Sequence, residues 1–341
     1  IVNFMKIREA MEDQGSIFQT DLDTEVIAAL IAKYHKDDLN DAIIKALSEV
    51  RGSYAMAVMT NDRMIAARDP HGIKPLSIGK LDGDYIVASE SCAFDSVGGE
   101  FVRDVEPGEI VLIDKEGLKT LYSNPQKRSL CIFELVYLAR PDSILDGKSV
   151  YMSRFEAGKR LYLEKPETVA DIVIGAPDSG IVAAIGYAEA SGIPYAEGMI
   201  KNRYIGRTFI EPSQELREQG VKIKLNPLKE NIKGKRLILV DDSIVRGTTI
   251  KRTVAMLKNA GAKEVHVRIA SPPITHSCYL GVDTPSEENL ISSRLSVDEL
   301  AQEIGADSLY FISIEGLVSA AGEDNGFCKG CFTGIYPVEK E

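Results

Sequence analysis

The chain has 341 residues, of which 44% are hydrophobic, and a formal net charge of −11 at pH 7. This length predicts two domains, and the acidic balance argues against nucleic acid or an anionic membrane as a general partner. There is no apolar run long enough to span a membrane and no signal-peptide pattern, so we expect a soluble, cytoplasmic protein.

The first 122 residues show helical patterns followed by short strands. Apolar spacing predicts three helices, over residues 1–11, 24–33 and 41–50, and a short strand at GSIFQT between the first two. From Ser53 onward, turn signals separate short strands; the signals are Asn61-Asp62, Asp82-Gly83 and Lys115-Glu116-Gly117. Helices followed by antiparallel hairpins indicate an α+β layered domain over residues 1–122.

A polar linker over residues 123–128 leads into a second predicted domain, residues 129–341. Strands and helices alternate there, which predicts an α/β fold with a mostly parallel sheet. The predicted strands cover residues 169–175, 237–240, 264–270 and 308–312. The predicted helices cover residues 153–163, 181–190, 298–304 and 314–321, and another begins at Thr248 and stops at Ala260-Gly261.

The stretch with the most specific chemistry is KRLILVDDSIVRGTT, from Lys235 to Thr249. A buried strand ends in Asp241 and Asp242, and a loop of small residues then opens a helix. Backbone N–H groups of that loop and the positive end of the helix dipole favour a phosphate. Gly247 would let the backbone come close to such an anion.

The two acids would repel phosphate but suit ribose hydroxyls, a Mg²⁺ ion or a carbon that becomes cationic. A ligand with phosphate at one end and hydroxyls plus metal in the middle meets both demands. The alternative is an ordinary helix cap followed by two solvated aspartates. The order of strand, acid pair, loop and helix favours the ligand site, and no Walker or Rossmann glycine pattern accounts for the loop.

A second strand, loop and helix has the loop Ala176–Gly180, which can offer N–H groups to another anion. This signal is weak alone, because many such turns contain Pro, Asp and Gly. Between the two loops lies the basic segment 201–235. It is either a solvated surface loop or, as we favour, a mobile lid whose cations meet an anionic ligand and exclude water.

VDDSIVRGTT resembles the 5-phosphoribosyl-1-pyrophosphate (PRPP) loop of the type I phosphoribosyltransferases, in the form typical of the amidophosphoribosyltransferases. KNRYIGRTFI, at residues 201–210, resembles the lid motif of the same family. The resemblance implies catalytic roles for Asp241 and Asp242, with Mg²⁺ near these two acids and Ser179. The substrate-binding residues that it implies are Asp178, Ser179, Gly180, Lys201, Tyr204, Arg207, Ser243, Arg246, Gly247, Thr248 and Thr249.

FQTDLDTEV, RGSYAMAVM, ARDPHGIKPLSIG and ASES resemble the glutaminase domain of amidotransferases with an N-terminal cysteine nucleophile. The resemblance implies that Asp23 holds the α-amino group of glutamine, although Asp23 also suits a helix N-cap. The family's nucleophile, its arginine and its Asn-Gly pair should precede Ile1. We therefore expect that the chain lacks its N-terminal portion and that glutamine does not replace ammonium as its nitrogen donor.

Five cysteines in a chain of this size do not indicate a secreted disulfide scaffold. Cys92 is predicted to be a buried apolar residue in a strand. Cys328-Lys329-Gly330-Cys331 has chelate spacing, which suits a zinc half-site, a redox pair or two unligated thiols. With Cys131 and Cys278 the thiolates number four, as a [4Fe–4S] cluster needs. Spacing does not choose between zinc and iron–sulfur, but resemblance to the iron–sulfur branch of the family implies a structural cluster.

The resemblance implies an enzyme that transfers ammonia, derived from glutamine in the intact protein, to PRPP and gives 5-phosphoribosylamine and pyrophosphate, the first step of de novo purine synthesis. The rival enzyme is a nucleobase phosphoribosyltransferase, which leaves the glutaminase-like residues unexplained. The rival of another class is a PRPP-sensing regulator, which calls for a DNA-binding module that an acidic chain does not suggest. Family resemblance also implies feedback by purine nucleotides and a homotetramer.

Overall fold

The computed structural model describes residues 1–166, 169–202, 225–322 and 326–340. Within these ranges no helix is both long and apolar enough to cross a membrane.

The first domain contains four helices and seven strands. The helices are α1 (Phe4–Glu12), α2 (Asp23–Tyr34), α3 (Leu39–Glu49) and α4 (Cys92–Val97). The strands are β1 (Ala55–Met59), β2 (Arg63–Arg68), β3 (Ser77–Leu81), β4 (Asp84–Ala88), β5 (Glu100–Asp104), β6 (Glu109–Asp114) and β7 (Gly117–Ser123). The three predicted helices are confirmed as α1, α2 and α3. All three predicted hairpin turns are also confirmed, and these turns join β1 to β2, β3 to β4 and β6 to β7.

These strands form two antiparallel sheets, in the orders β1-β2-β6-β7 and β4-β3-β5. Alternate residues of β2 and β6 point to opposite faces of the first sheet. Ile65 and Leu112 pack with α1, α2 and α3, whereas Ala66 and Val111 pack with Ile78 of the second sheet. The first sheet therefore has helices on one face and the second sheet on the other.

Two predictions about this domain are wrong. GSIFQT forms no strand: residues 15–20 are irregular, Ile17 is 90% exposed, and the backbone N–H groups of Gln19 and Thr20 donate to the Glu25 carboxylate instead of to a neighbouring strand. Cys92 begins α4 instead of lying in a strand, although its predicted burial is confirmed at 3% exposure. The short apolar run around Cys92 fits either element, and tertiary packing decides between them.

The second domain is built around a parallel sheet. Its longer strands are β11 (Ile172–Gly175), β14 (Arg236–Asp241), β15 (Glu264–Ile269) and β16 (Ser308–Phe311). Short strands are β8 (Leu130–Cys131), β9 (Ile144–Leu145), β10 (Lys148–Ser149), β12 (Met199–Lys201), β13 (Leu225–Pro227) and β17 (Phe327–Cys328). The helices are α5 (Val150–Glu164), α6 (Gly180–Ser191), α7 (Lys229–Ile232), α8 (Thr248–Asn259), α9 (Val297–Ile304), α10 (Ile314–Ala320) and α11 (Gly330–Thr333), with a π-helix at Glu134–Leu138 and 3₁₀ turns at Glu287–Asn289 and Ile291–Ser293.

The sheet order is β11-β14-β15-β16, and all three pairings are parallel. Both faces are buried: Ile238 and Val240 belong to one core cluster, and Leu237 and Leu239 to another. Burial on both faces explains why β14 is a continuous apolar run instead of an alternating one. Because the strands are parallel, their carboxyl ends meet at one edge of the sheet.

The two domains are joined by buried polar contacts. Arg68 of β2 donates to Asp146 at 2.7 and 3.0 Å, and both side chains are at most 2% exposed. Glu90, in the ASES motif, accepts hydrogen bonds from the backbone N–H of Arg140 and the hydroxyl of Ser143 at 2.8 and 2.6 Å. These contacts fix the first domain against the segment that precedes α5.

Candidate functional site

The loops that follow β11 and β14 lie side by side at the carboxyl edge of the sheet. Gly175 is in register with Val240, and the N–H of Ala176 donates to the Val240 carbonyl at 2.9 Å. Both loops line one open cavity of about 660 Å³. Open α/β sheets bind their ligands in this position, beyond the carboxyl ends of the strands. The two loops therefore face one cleft.

Two glycines allow this close arrangement. A Cβ atom built on Gly180 would lie 2.5 Å from the Val240 carbonyl oxygen, so only glycine lets the start of α6 pack against β14. Gly247 precedes α8 with φ +76°, and a Cβ there would lie 2.6 Å from Cδ1 of Ile291. A side chain at either position would displace its loop.

The acid pair lies between the two loops. The carboxylate of Asp242, which is 7% exposed, accepts from the hydroxyls of Ser179 and Ser243, each at 2.5 Å. Asp241 accepts from the backbone N–H of Asp242 at 2.9 Å. Burial and the neighbouring charge of Asp242 raise the pKa of Asp241 well above its usual value. Ser179 and Asp242, which are 63 residues apart in sequence, therefore form one hydrogen-bonded unit.

The opposite end of the cavity is formed by the start of α8. Thr248 and Thr249 are its first two residues and line the cavity with Ser243, Arg246 and Gly247. A helix N-terminus offers unpaired N–H groups and a positive dipole end, which favour an anion. An acidic centre and an anion-binding end therefore share one cavity.

The remaining predicted substrate ligands are placed only in part. Lys201 ends β12, and its ammonium donates to the exposed carboxylate of Asp178, whose peptide bond with Pro177 is cis. Lys201 thus lies next to the Ala176–Gly180 loop, but Lys201 and Asp178 line a neighbouring cavity and not the one that holds the acid pair. Tyr204 and Arg207 lie outside the described residues.

The wall of the cavity contains residues that the sequence did not predict. Phe133, Tyr137 and Leu138, from the π-helix and the residue before it, line the cavity. Buried Arg154 of α5 donates to the carbonyls of Leu135 and Ala139 at 2.8 and 2.7 Å, which fixes this wall. No local sequence pattern predicts such a contact. The one indication in the sequence is Arg154 itself, a charged residue on the apolar face of a predicted helix.

The four cysteines that the resemblance implies as cluster ligands come together. Cys131, Cys278, Cys328 and Cys331 line one small cavity, and β8 pairs with β17 so that Cys131 is opposite Cys328. Burial raises the pKa of Cys131 to about 12 and of Cys328 to about 11, and burial together with the other three thiols also raises the pKa of Cys331. We call these four residues the cysteine cage.

The cysteine cage adjoins the larger cavity. Phe133, Val282 and Thr284 line both spaces, and the Thr284 hydroxyl accepts from the N–H of Cys278 at 2.7 Å. Among the described residues, no group of three or more His, Cys, Asp or Glu side chains is arranged to hold a single metal ion. A single ion needs donors that converge on one point, whereas a [4Fe–4S] cluster takes one thiolate at each of four irons.

Asp23 is far in sequence from the residues that line the two cavities. It is the first residue of α2. Leu22, not Asp23, occupies the N-cap position, so the N-cap interpretation of Asp23 is wrong by one residue. Its carboxylate lies 2.6 Å from the amino nitrogen of Ile1.

Comparisons with known proteins cover both domains. A model of the glutamine amidotransferase domain matches residues 1–96, and a model of the phosphoribosyl transferase domain matches residues 146–271. The amidophosphoribosyltransferase of Bacillus subtilis is 53% identical over 345 residues, which cover 99% of this chain and 72% of the relative. That of Archaeoglobus fulgidus is 50% identical over 344 residues, covering 99% of this chain and 75% of the relative.

Solved structures agree in shape as well as in sequence. A structure described as the allosteric regulatory enzyme of purine biosynthesis has a TM-score of 0.94 at 53% identity and covers 100% of this chain and 74% of that one. The glutamine PRPP amidotransferase of B. subtilis, complexed with ADP and GMP, has a TM-score of 0.93 at 53% identity, with coverage of 100% and 76%.

Proposed function

The chain belongs to the amidophosphoribosyltransferase family, the PRPP amidotransferases of purine biosynthesis, and from this membership we propose how its residues carry out the reaction. In that reaction ammonia displaces pyrophosphate from C1 of PRPP and gives 5-phosphoribosylamine. The observation that carries the proposal is the single cavity shared by the loops after β11 and β14.

Each loop binds one end of PRPP. The 5-phosphate lies at the start of α8, where Ser243, Arg246, Gly247, Thr248 and Thr249 offer backbone N–H groups, hydroxyls and one cation. The pyrophosphate lies at the loop that precedes α6, with ligands from Asp178, Ser179 and Gly180, and Lys201 stands beside it. Tyr204 and Arg207 would add polar contacts from the lid segment.

The acid pair lies beneath the ribose. Asp241 and Asp242 accept the ribose hydroxyls and stabilise the positive charge that develops on the ring as the C1–O bond breaks. Mg²⁺ on the pyrophosphate, when bound, makes it a better leaving group. Ser179 and the two acids fit this ion, because Mg²⁺ in such sites takes one or two carboxylates together with substrate phosphates instead of a complete protein cage.

Ammonia is nucleophilic enough to attack C1 without a strong side-chain base. The protein therefore acts by orienting the ribose, stabilising charge and limiting the access of water, which would otherwise compete for C1. The wall of Phe133, Tyr137 and Leu138 supplies apolar cover over the reacting carbon.

Two glycine variants test the assignment of the loops. Gly180→Ala should weaken the binding of Mg²⁺-pyrophosphate more than that of ribose 5-phosphate, and Gly247→Ala should do the reverse. Isothermal titration calorimetry measures both ligands against both variants, so each variant is the control for the other. Equal weakening of both ligands by both variants would contradict the proposal that each loop binds one end.

The cysteine cage is proposed to hold a structural [4Fe–4S] cluster. Four thiols around one cavity match the ligand number, and the N–H of Leu280 donates to Cys278 Sγ at 3.3 Å, which is the kind of bond that stabilises a bound thiolate. Iron and sulfide analysis of anaerobically purified protein, with its absorption spectrum, tests this. Iron-free, colourless protein would contradict the proposal of a cluster.

The first domain, residues 1–122, is proposed to be the glutaminase domain, and residues 129–341 the phosphoribosyltransferase domain. Asp23 then holds the α-amino group of glutamine, as the resemblance of FQTDLDTEV to the glutaminase motif implies. Feedback by purine nucleotides is proposed because the related B. subtilis structure is a complex with ADP and GMP. A homotetramer is proposed from family resemblance.

A further inference from the structure

An ion pair lies beside the cysteine cage and joins the two domains. Lys74 Nζ donates to Glu134 Oε1 at 3.0 Å, and the two side chains are only 19% and 10% exposed. Glu134 follows Cys131 by three residues, and the N–H of Cys131 donates to the carbonyl of Ile73 at 3.0 Å. Lys74 is therefore held near Cys131 in two ways: its chain neighbour Ile73 accepts from Cys131, and its ion-pair partner Glu134 lies three residues after Cys131.

Lys74 also contacts the segment that carries Cys278. A Cβ built on Gly281 would lie 3.1 Å from Lys74 Cε, so the lysine stem packs on the backbone three residues after Cys278. Ser53 of the first domain donates to the neighbouring Leu280 carbonyl at 2.6 Å. Lys74 therefore contacts the segment that follows Cys278 and, through Glu134, the segment that follows Cys131.

The electrostatics of Lys74 agree with this placement. Burial works to lower its pKa, but Glu134, Cys131 and Cys278 outweigh burial, so the pKa is raised and the side chain stays cationic. The ion pair with Glu134 therefore holds one fixed positive charge beside the cysteine cage.

A [4Fe–4S] cluster with four thiolate ligands carries a net negative charge, and charge and hydrogen bonds around it set its reduction potential. We propose that Lys74 is a positioning residue for the cluster: its ammonium offsets the cluster's charge, and Glu134 limits that effect. This inference rests on the cluster proposed above. It makes the first domain, which supplies no cysteine to the cage, a determinant of the cluster's chemistry.

The proposal predicts opposite effects for the two members of the ion pair. Lys74→Met removes the cation and should make the cluster easier to oxidise, so its visible absorbance should be lost several-fold faster in air. Glu134→Gln removes the anion and should slow that loss. Midpoint potentials from protein-film voltammetry should move in the same sense, more negative for Lys74→Met and less negative for Glu134→Gln.

Two controls separate charge from packing. Lys74→Arg keeps the cation and should stay close to wild type, and Lys80→Met removes a cation that stacks on Tyr85 in the same domain and should have no effect. If Lys74→Met and Glu134→Gln both accelerate the loss equally, or if neither changes it, the proposal is overturned and the pair only packs.

The failure of this proposal can be told apart from failure of the cluster assignment. Wild-type protein without iron and sulfide would overturn both. If wild-type protein holds a complete cluster and all four variants lose its absorbance at the wild-type rate, only the role of Lys74 is overturned. Ammonia-dependent pyrophosphate release reports on the PRPP site independently of either result.

Discussion

Asp242 is the most constrained side chain of the proposed PRPP site. Both of its oxygens accept serine hydroxyls, one from each of the two loops, so the carboxylate is fixed before the ligand binds. Preorganised charge of this kind stabilises a cationic transition state without the cost of reorganising solvent.

Asp242→Asn should therefore lower turnover by a factor on the order of 10² while leaving the fold intact. The amide keeps the shape of the side chain but removes the charge beneath the ribose. Initial rates with PRPP, Mg²⁺ and ammonium, together with circular dichroism, measure the two effects. Asp171→Asn, which changes a partly exposed acid paired with Arg236 at the other end of the sheet, is the matched control. Near-normal turnover in Asp242→Asn would remove this residue from the site.

Asp241 should give the reaction an acid limb. Its folded-state pKa is raised by burial and by Asp242, so it takes up a proton at a higher pH than an ordinary aspartate. Only the ionised form of Asp241 can accept hydrogen bonds from the ribose hydroxyls and also coordinate Mg²⁺. PRPP binding should therefore weaken as the pH falls through that raised pKa. The pH dependence of kcat/KM for PRPP measures this limb. Asp241→Asn should flatten it, and an unchanged limb in that variant would assign the titration to another group.

The sequence predicted the types of residue at this site better than their contacts. The strand, the acid pair and the helix are local features, so KRLILVDDSIVRGTT and the apolar spacing that follows it predict them. The bond from Ser179 to Asp242 joins positions 63 residues apart, and nothing local encodes it. Asp23 was predicted one position away from its place in α2, because cap positions depend on the conformation of the residue before the helix.

At the level of elements, the π-helix at Glu134–Leu138 forms one wall of the cavity. Its position depends on Arg154, which lies on α5 and donates to two of the wall's carbonyl oxygens. The sequence predicted α5 from its apolar period but gave no reason to expect a π-helix at CIFELVYLARP.

The Arg154→Met variant should unfold at a lower urea concentration than the wild type and should have a higher KM for PRPP. Two buried carbonyls lose their donor, at about 1–3 kcal/mol for each group left unpaired. Urea denaturation measures the stability, and initial rates measure KM. Arg160→Met, on the exposed side of the same helix, should change neither. If Arg154→Met destabilises the protein without altering KM, the guanidinium supports the core but not the cavity wall.

Elements that depend on burial were predictable, and those that depend on distant partners were not. The continuous apolar run of β14 indicates a strand covered on both faces, and the hairpin signals mark three turns correctly. GSIFQT has the composition of a strand but no partner to pair with. The pairing of β8 with β17, which brings Cys131 opposite Cys328, joins segments nearly 200 residues apart, and only the resemblance suggested it.

At the scale of the whole molecule, the domains meet through groups that are costly to leave unpaired. Arg68 donates to Asp146 and also to the carbonyls of Gly72, Lys74 and Val105. A fully buried charge with this many partners holds one relative position of the two domains.

Arg68→Met should destabilise the protein by about 3–5 kcal/mol, because it leaves the buried carboxylate of Asp146 with only the more distant, partly exposed guanidinium of Arg128 at 3.5 Å. Urea denaturation followed by circular dichroism measures the free energy of unfolding. Arg63→Met, on the same strand but paired with exposed Asp62, should cost less than about 1 kcal/mol. Equal effects of the two substitutions would mean that the interdomain pair is not important for stability.

The central claim is that one cavity binds both ends of PRPP and presents its C1 to ammonia. Pyrophosphate release, measured with PRPP and Mg²⁺ at alkaline pH, tests it most directly. The account predicts release that rises with ammonium concentration and does not respond to purine or pyrimidine bases. Release that requires a nucleobase, or PRPP binding without any release in the presence of ammonium, would contradict it.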